Sequence, residues 1–164
     1  MTNHIKQIPL PILRADINKI KFLYVNGQSL FKERVLENSN WKSFDIINNY
    51  SVSPFLKKLP CISSWFKDLK DFTGIKNIKH SYISILDKKS SIDWHADALS
   101  DNFHPAVLSS ISTEKSFIEF EDTKYYYKEG YSYLIRSGIR HRILNLNNDI
   151  RIVLCTTPEE NKYV

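Results

Sequence analysis

The alternation of apolar and polar positions changes character near residue 75. Before it, apolar residues recur at helical spacing. Ile17, Ile20 and Leu23 share one face, with Asp16 placed to cap them and Asn26-Gly27 placed to end them. Leu30, Phe31, Val35 and Leu36 predict a second helix. After Pro54 and Pro60, the residues Ile62, Trp65, Phe66 and Leu69 follow i, i+3, i+4, i+7. This is one face of an amphipathic helix that ends near Gly74, and its aromatic stripe reads as core packing.

Beyond residue 75, short runs rich in Ile, Tyr, Val and Phe alternate with turn signals. Strands are predicted near 80–86, 92–97, 106–111, 117–120, 124–128, 131–135, 141–144 and 151–156. The turns between them include Asp87-Lys88-Lys89-Ser90, Glu129-Gly130, Ser137-Gly138 and Asn147-Asn148-Asp149. Strands at this spacing with no helices between them predict an antiparallel sandwich or barrel. The helices come first and brace one sheet face. The 164 residues are expected to form a single domain, helical over about 1–75 and β over about 76–157.

Composition changes this picture little. Charged residues make up 25% and hydrophobic residues 42%, an ordinary globular balance that needs no disulfide to build a core. The net charge of +5 comes from scattered lysines with no basic run. Nucleic acid is therefore a possible but not a favoured partner. Cys61 and Cys155 lie far apart, and the first residues lack the apolar run of an export signal, so a reducing, cytoplasmic setting is expected. No stretch has the length of a membrane span.

The chemistry lies in Trp94-His95-Ala96-Asp97. On a strand, residues two apart project to one face, so His95 and Asp97 would point together. Alone this pair is weak evidence, since His-x-Asp arises readily by chance. The candidate gains from His141, 46 residues on and beyond several strand signals, and from Arg151 ten residues later. Two histidines and one carboxylate cover one face of an octahedral metal and leave three positions open, which suits iron(II) and oxygen chemistry. Arg151 opens the apolar run Ile152-Val153-Leu154, where a buried cation needs an anionic partner. A dicarboxylate held by two parallel hydrogen bonds would serve. His104 is an alternative third ligand in place of His141, although that choice leaves Arg151 unexplained. His4 and His80 read as structural or exposed.

His95-x-Asp97, then His141, then Arg151 resembles the Fe(II)/2-oxoglutarate-dependent oxygenases. The segments 141–145 and 149–152 resemble the aspartyl/asparaginyl β-hydroxylase branch in particular. The resemblance covers about 54–157. It implies a mainly β (α+β) chain, with a double-stranded β-helix (jelly-roll, cupin-like) core and N-terminal bracing helices. It implies His95, Asp97 and His141 as iron ligands and Arg151 as the residue that holds the far carboxylate of 2-oxoglutarate. Ser84 and His104 fall where members of the branch place a hydroxyl and a basic side chain against that cosubstrate. The implied activity is a dioxygenase that uses Fe(II), 2-oxoglutarate and O2 to hydroxylate a C–H bond of an amino acid, peptide or protein side chain. The alternatives are a nucleic-acid demethylase of the same superfamily and a cupin-like metal enzyme that does not use 2-oxoglutarate. Two departures stand out: the turn before His-x-Asp reads Asp87-Lys88-Lys89-Ser90-Ser91 where many members have glycine, and Tyr82 is the sole tyrosine near the strand before it. Asp93, Trp94, Asn102, Arg140 and Arg142 are expected near the mouth of the barrel.

Overall fold

The computed structural model describes residues 4–12, 16–34, 40–97 and 105–158. The described elements, in chain order, are β1 (Ile5–Ile8), α1 (Ile17–Asn26), β2 (Lys32–Glu33), β3 (Trp41–Asn48), β4 (Ser51–Val52), α2 (Pro60–Thr73), β5 (Ile78–Leu86), β6 (Ser91–His95), β7 (Pro105–Ser112), β8 (Ser116–Phe120), β9 (Lys124–Tyr126), β10 (Ser132–Arg136), β11 (His141–Asn145) and β12 (Arg151–Pro158). Two sheets result, both antiparallel. The large one runs β1-β10-β7-β12-β5-β3-β2, with β4 paired to β3. The small one runs β6-β11-β8-β9.

Strand alternation gives the large sheet two different faces. Ile83 and Ile85 of β5 and Ile152 and Leu154 of β12 point toward the helices, joining Ile20, Ile62, Trp65, Phe66 and Leu69 in one buried cluster. Helix α2 presents four buried apolar side chains to it, each contributing roughly 1.5–3 kcal/mol by removal from water. Pro60 starts α2, and Gly74, at φ 68°, ends it by donating its N–H to the Lys70 carbonyl at 2.8 Å. Asp16 does not cap α1 as expected. Its buried carboxylate accepts a hydrogen bond from the Ile62 N–H at 3.0 Å, so it caps the first turn of α2.

The other face meets the small sheet. Leu86, Leu108, Ile135 and Val153 pack against Ile92, Ile118, Phe120 and Ile143. The expectation of helices first and strands later needs correction. β1, β3 and β4 lie in the N-terminal half, and β3 and β1 join the large sheet beside β5 and β10. The predicted second helix is a 3-10 turn, Gln28–Leu30, followed by β2; Val35 and Leu36 lie outside the described residues. Phe31 packs against Phe44 of β3 (5.6 Å between centroids) instead of on a helix face. None of the described helices is long and apolar enough to cross a membrane.

Candidate active site

β6 and β11 are neighbours in the small sheet, and their register sets His95 directly opposite His141. The two imidazoles stand 4.4 Å apart, ring centre to ring centre. Strand β6 ends at His95, so Asp97 is not on the strand as predicted. Its N–H instead donates to the Ser137 carbonyl at 2.9 Å, which folds the chain back alongside the histidines. One ligand atom from each of His95, Asp97 and His141 lies within 4.8 Å of the others.

Each histidine is oriented the same way. Nδ1 of His95 lies 2.7 Å from the Asp93 carbonyl, and Nδ1 of His141 lies 2.7 Å from the Ile139 carbonyl. A backbone oxygen can only accept, so Nδ1 carries the proton and Nε2 presents its lone pair. Nε2 of His95 lies 3.5 Å from the Asp97 carboxylate. Burial works to lower the His95 pKa, but hydrogen bonding to Asp97 and to the Asp93 carbonyl raises it overall. Burial dominates at His141 and lowers its pKa, favouring the neutral, ligating form.

These groups line a cavity of about 820 Å³ between the two sheets, a size suited to a small-molecule or cosubstrate site. Arg151, at the start of β12, is 2% exposed and lines the same cavity. Its guanidinium lies 5.0 Å from the centre of the Tyr127 ring, its Nε is buried without a hydrogen-bond partner, and no carboxylate among the described residues pairs with it. Burial pushes the Tyr127 phenol up to about 12 against the opposing pull of Arg151. The Cys155 thiol, four residues along from Arg151 on the same face, is pushed up to about 11 by burial. Ser84 is buried on the cavity wall and accepts a hydrogen bond from the Trp41 indole N–H at 2.9 Å.

The remaining expectations divide. His104 and Asn102 lie outside the described residues. Tyr82 faces the cavity, paired in register with Cys155. Asp93, Trp94, Arg140 and Arg142 are not among the cavity-lining residues. Trp94 and Arg142 adjoin the two histidines in sequence, so strand alternation turns them to the opposite face of the small sheet. There the Trp94 ring takes both guanidiniums, at 5.5 and 5.1 Å, and Arg142 bonds to Glu119 at 2.6 Å. His4 is structural as expected: it is buried on Phe120 and reaches Asp122 at 3.2 Å. His80 lines the outer part of the cavity. Sequence reasoning missed Arg34 and Trp41, both on the cavity wall. Trp41 opens β3, a strand that the 41–48 pattern does not announce, and Arg34 follows β2, which pairs with it.

The turn that departs from the glycine pattern is accounted for by geometry. Lys89 takes φ 52°, the left-handed conformation that favours glycine. Its side chain donates to the Leu146 carbonyl at 2.7 Å, and buried Asn145 donates to the Asp87 carbonyl at 2.8 Å. These bonds hold the β5–β6 turn in place without a glycine.

The family model described as Aspartyl/Asparaginyl beta-hydroxylase matches residues 11–159. The chain belongs to that family. It is an enzyme of the hydroxylase class. No curated protein matches the sequence. Among solved structures, a prolyl-4-hydroxylase from Pseudomonas putida is similar with a TM-score of 0.64 at 10% identity, covering 98% of this chain and 94% of its own. An oxidoreductase of the 2OG-Fe(II) oxygenase family from Burkholderia pseudomallei gives 0.61 at 12% identity, over 94% and 85%. A prolyl hydroxylase from Trichoplax adhaerens, solved in complex with a peptide fragment of hypoxia inducible factor, gives 0.63 at 13% identity, over 96% and 84%. The hydroxylase shares their fold, and its two facing sheets form a double-stranded β-helix.

Proposed function

We propose that this hydroxylase is an Fe(II)- and 2-oxoglutarate-dependent dioxygenase that hydroxylates a C–H bond of an amino acid, peptide or protein side chain. His95, Asp97 and His141 are its iron ligands. Arg151 holds the far carboxylate of 2-oxoglutarate, with Ser84 beside it and His104 as a further contact. The observation that carries this reading is one cavity with two complementary groups. One is a His-Asp-His cluster with its ligand atoms within 4.8 Å. The other is a buried arginine without a carboxylate partner among the described residues.

The residues fit both absent groups. The donor set is nitrogen and oxygen, as iron(II) accepts, and the backbone carbonyls of Asp93 and Ile139 fix the imidazole tautomers. A buried guanidinium with an unsatisfied Nε is costly unless an anion completes it, and a carboxylate supplies both charge and hydrogen-bond acceptors. Bound iron and 2-oxoglutarate would supply oxygen activation, coupling decarboxylation of the cosubstrate to hydroxylation of the substrate. The protein's own contribution is to hold the ligand geometry, to position the cosubstrate between Arg151 and the histidines, and to exclude water from the inner cavity wall of Ile92, Leu108, Ile135 and Ile143. A cupin-like enzyme without 2-oxoglutarate would have no use for Arg151. A peptide or amino-acid substrate suits a chain whose structural relatives include one solved with a peptide. Two free cysteines favour a reducing, cytoplasmic setting.

The test is turnover of 2-oxoglutarate to succinate by the purified protein in air. Succinate formation that requires iron(II) and disappears in His141→Ala supports the reading. Formation that persists in that variant, or that iron(II) does not stimulate, overturns it.

A further inference from the structure

Two of the three candidate iron ligands depend on one turn. β10 ends at Arg136 and β11 begins at His141, and the Ile139 N–H closes the turn between them on the Arg136 carbonyl at 3.1 Å. The Ser137 carbonyl accepts the Asp97 N–H at 2.9 Å. The Ile139 carbonyl lies 2.7 Å from Nδ1 of His141. The turn over residues 136–139 therefore sets both the path of the chain at Asp97 and the orientation of the His141 ring. Ligands need placing to within about 0.5 Å, so a shift of that size in the turn would be felt at both.

The turn is held from outside by the residue that precedes β1. The Arg136 N–H donates to the His4 carbonyl at 3.0 Å, one step beyond the last β1–β10 pair, Ile5 with Ile135. β1 is an edge strand that pairs with β10 alone, and the end of such a strand frays unless it is tied down. His4 supplies the tie. Its Nε2 lies 3.2 Å from the carboxylate of Asp122, two residues past β8 of the small sheet. Its ring stacks on Phe120 at 4.8 Å between centroids, and Phe120 stands opposite His141 in register, 5.8 Å from that ring. His4 thus fastens the edge of the large sheet to the small sheet. It reaches the ligands by two routes, through the turn and through Phe120.

Packing alone does not explain a histidine here. Its Nδ1 is buried with no hydrogen-bond partner among the described residues, a cost that an apolar side chain on Phe120 would avoid. What the imidazole adds is the bond to Asp122. We infer that His4 is a positioning residue: tied to Asp122, it holds the 136–139 turn, and with it Asp97 and His141, in the geometry that binds the metal. The inference rests on the dioxygenase reading for the identity of that metal, and it adds a determinant of the site that lies far from all three ligands in sequence.

The test is metal binding by the full chain without cosubstrate. Iron(II) affinity is measured by calorimetry under nitrogen, and the visible spectrum of the cobalt(II)-loaded protein reports the coordination geometry. His4→Ala is expected to weaken iron(II) binding about tenfold, as loss of a group that orients metal ligands does, and to change the cobalt(II) spectrum. His4→Gln, whose amide can still bond to Asp122, restores most of the affinity. Asp122→Ala weakens binding as His4→Ala does, and the double variant is no worse than His4→Ala alone, because the two residues act as one unit. Leu154→Ala, destabilised on the helix face, keeps the parent's affinity. Parent-like affinity and spectrum in folded His4→Ala overturn the inference, as does a loss that Leu154→Ala shares or one that adds fully in the double variant. Should His4→Ala fail to fold, Asp122→Ala carries the test, since its side chain is 54% exposed. The absorption band with 2-oxoglutarate is recorded on the same samples. Weakened metal binding in His4→Ala with no band in the parent would sink the dioxygenase reading and spare His4. A band in the parent with unchanged metal binding in His4→Ala would sink the role of His4 alone.

Discussion

Strand β12 passes Ile152 and Leu154 to one side of the large sheet and Arg151, Val153 and Cys155 to the other. On the helix side, Ile152 and Leu154 are fully buried among the side chains of α1 and α2. On the cavity side, the same strand places a buried guanidinium with an unsatisfied Nε and a half-buried thiol around open space. The backbone pairing is common to both faces, so the difference lies in what each face is packed against. The helix face is filled by side chains and stabilises the fold. The cavity face leaves the Arg151 Nε uncompensated, a local cost that makes sense where a ligand completes it.

Substitutions should separate the two faces. The largest effect is expected at the His95, Asp97 and His141 cluster. His141→Ala or Asp97→Ala should abolish iron binding and 2-oxoglutarate turnover, with a circular dichroism spectrum like that of the parent. Leu154→Ala, on the opposite face, should cost about 2–5 kcal/mol in denaturant unfolding and leave iron affinity unchanged. A metal affinity that falls with Leu154→Ala would break the distinction between the faces.

Arg151→Met sharpens it further. Loss of the carboxylate contact should raise the KM for 2-oxoglutarate by about a hundredfold or more. The same change removes an uncompensated buried charge, so the ligand-free protein should melt at the same or a higher temperature. A lower melting temperature with unchanged KM would make Arg151 a structural residue.

The smallest effect is a pH dependence shared by both faces. Tyr24 on the helix side and Tyr127 on the cavity side each hold their proton up to about 12, chiefly through burial. Unfolded tyrosines lose it near pH 10. Between about 10 and 12 the folded chain therefore binds more protons, and its stability falls as pH rises. The double variant Tyr24→Phe, Tyr127→Phe should show a shallower fall of melting temperature with pH over that window. An unchanged slope would contradict the burial of both phenols.

Much of the cavity face was readable from local pattern. Period-two alternation gave the eight strands after residue 75, and His95, Asp97, His141 and Arg151 stand on or beside three of their ends. The reading failed where neighbours decided the outcome. Leu30 and Phe31 have helical spacing, yet the chain turns there into β2 because Phe31 finds Phe44 and Tyr24 as partners. β3 was unread, and with it Trp41 and Arg34, because Trp41-Lys42-Ser43-Phe44-Asp45 carries too little apolar contrast to announce a strand. Arg142 and Trp94 adjoin His141 and His95 in sequence but sit behind them, since residues next to each other on a strand face opposite ways. Asp16 could not be assigned to α2 from sequence, as its partner Ile62 lies 46 residues away.

The most direct test of the central claim is an anaerobic iron(II) titration followed by visible absorption, with and without 2-oxoglutarate. The account predicts a charge-transfer band that requires both additions, vanishes in His95→Ala and weakens in Arg151→Ala. Iron binding with no band on adding 2-oxoglutarate would contradict the proposed cosubstrate, and no iron binding at all would contradict the site.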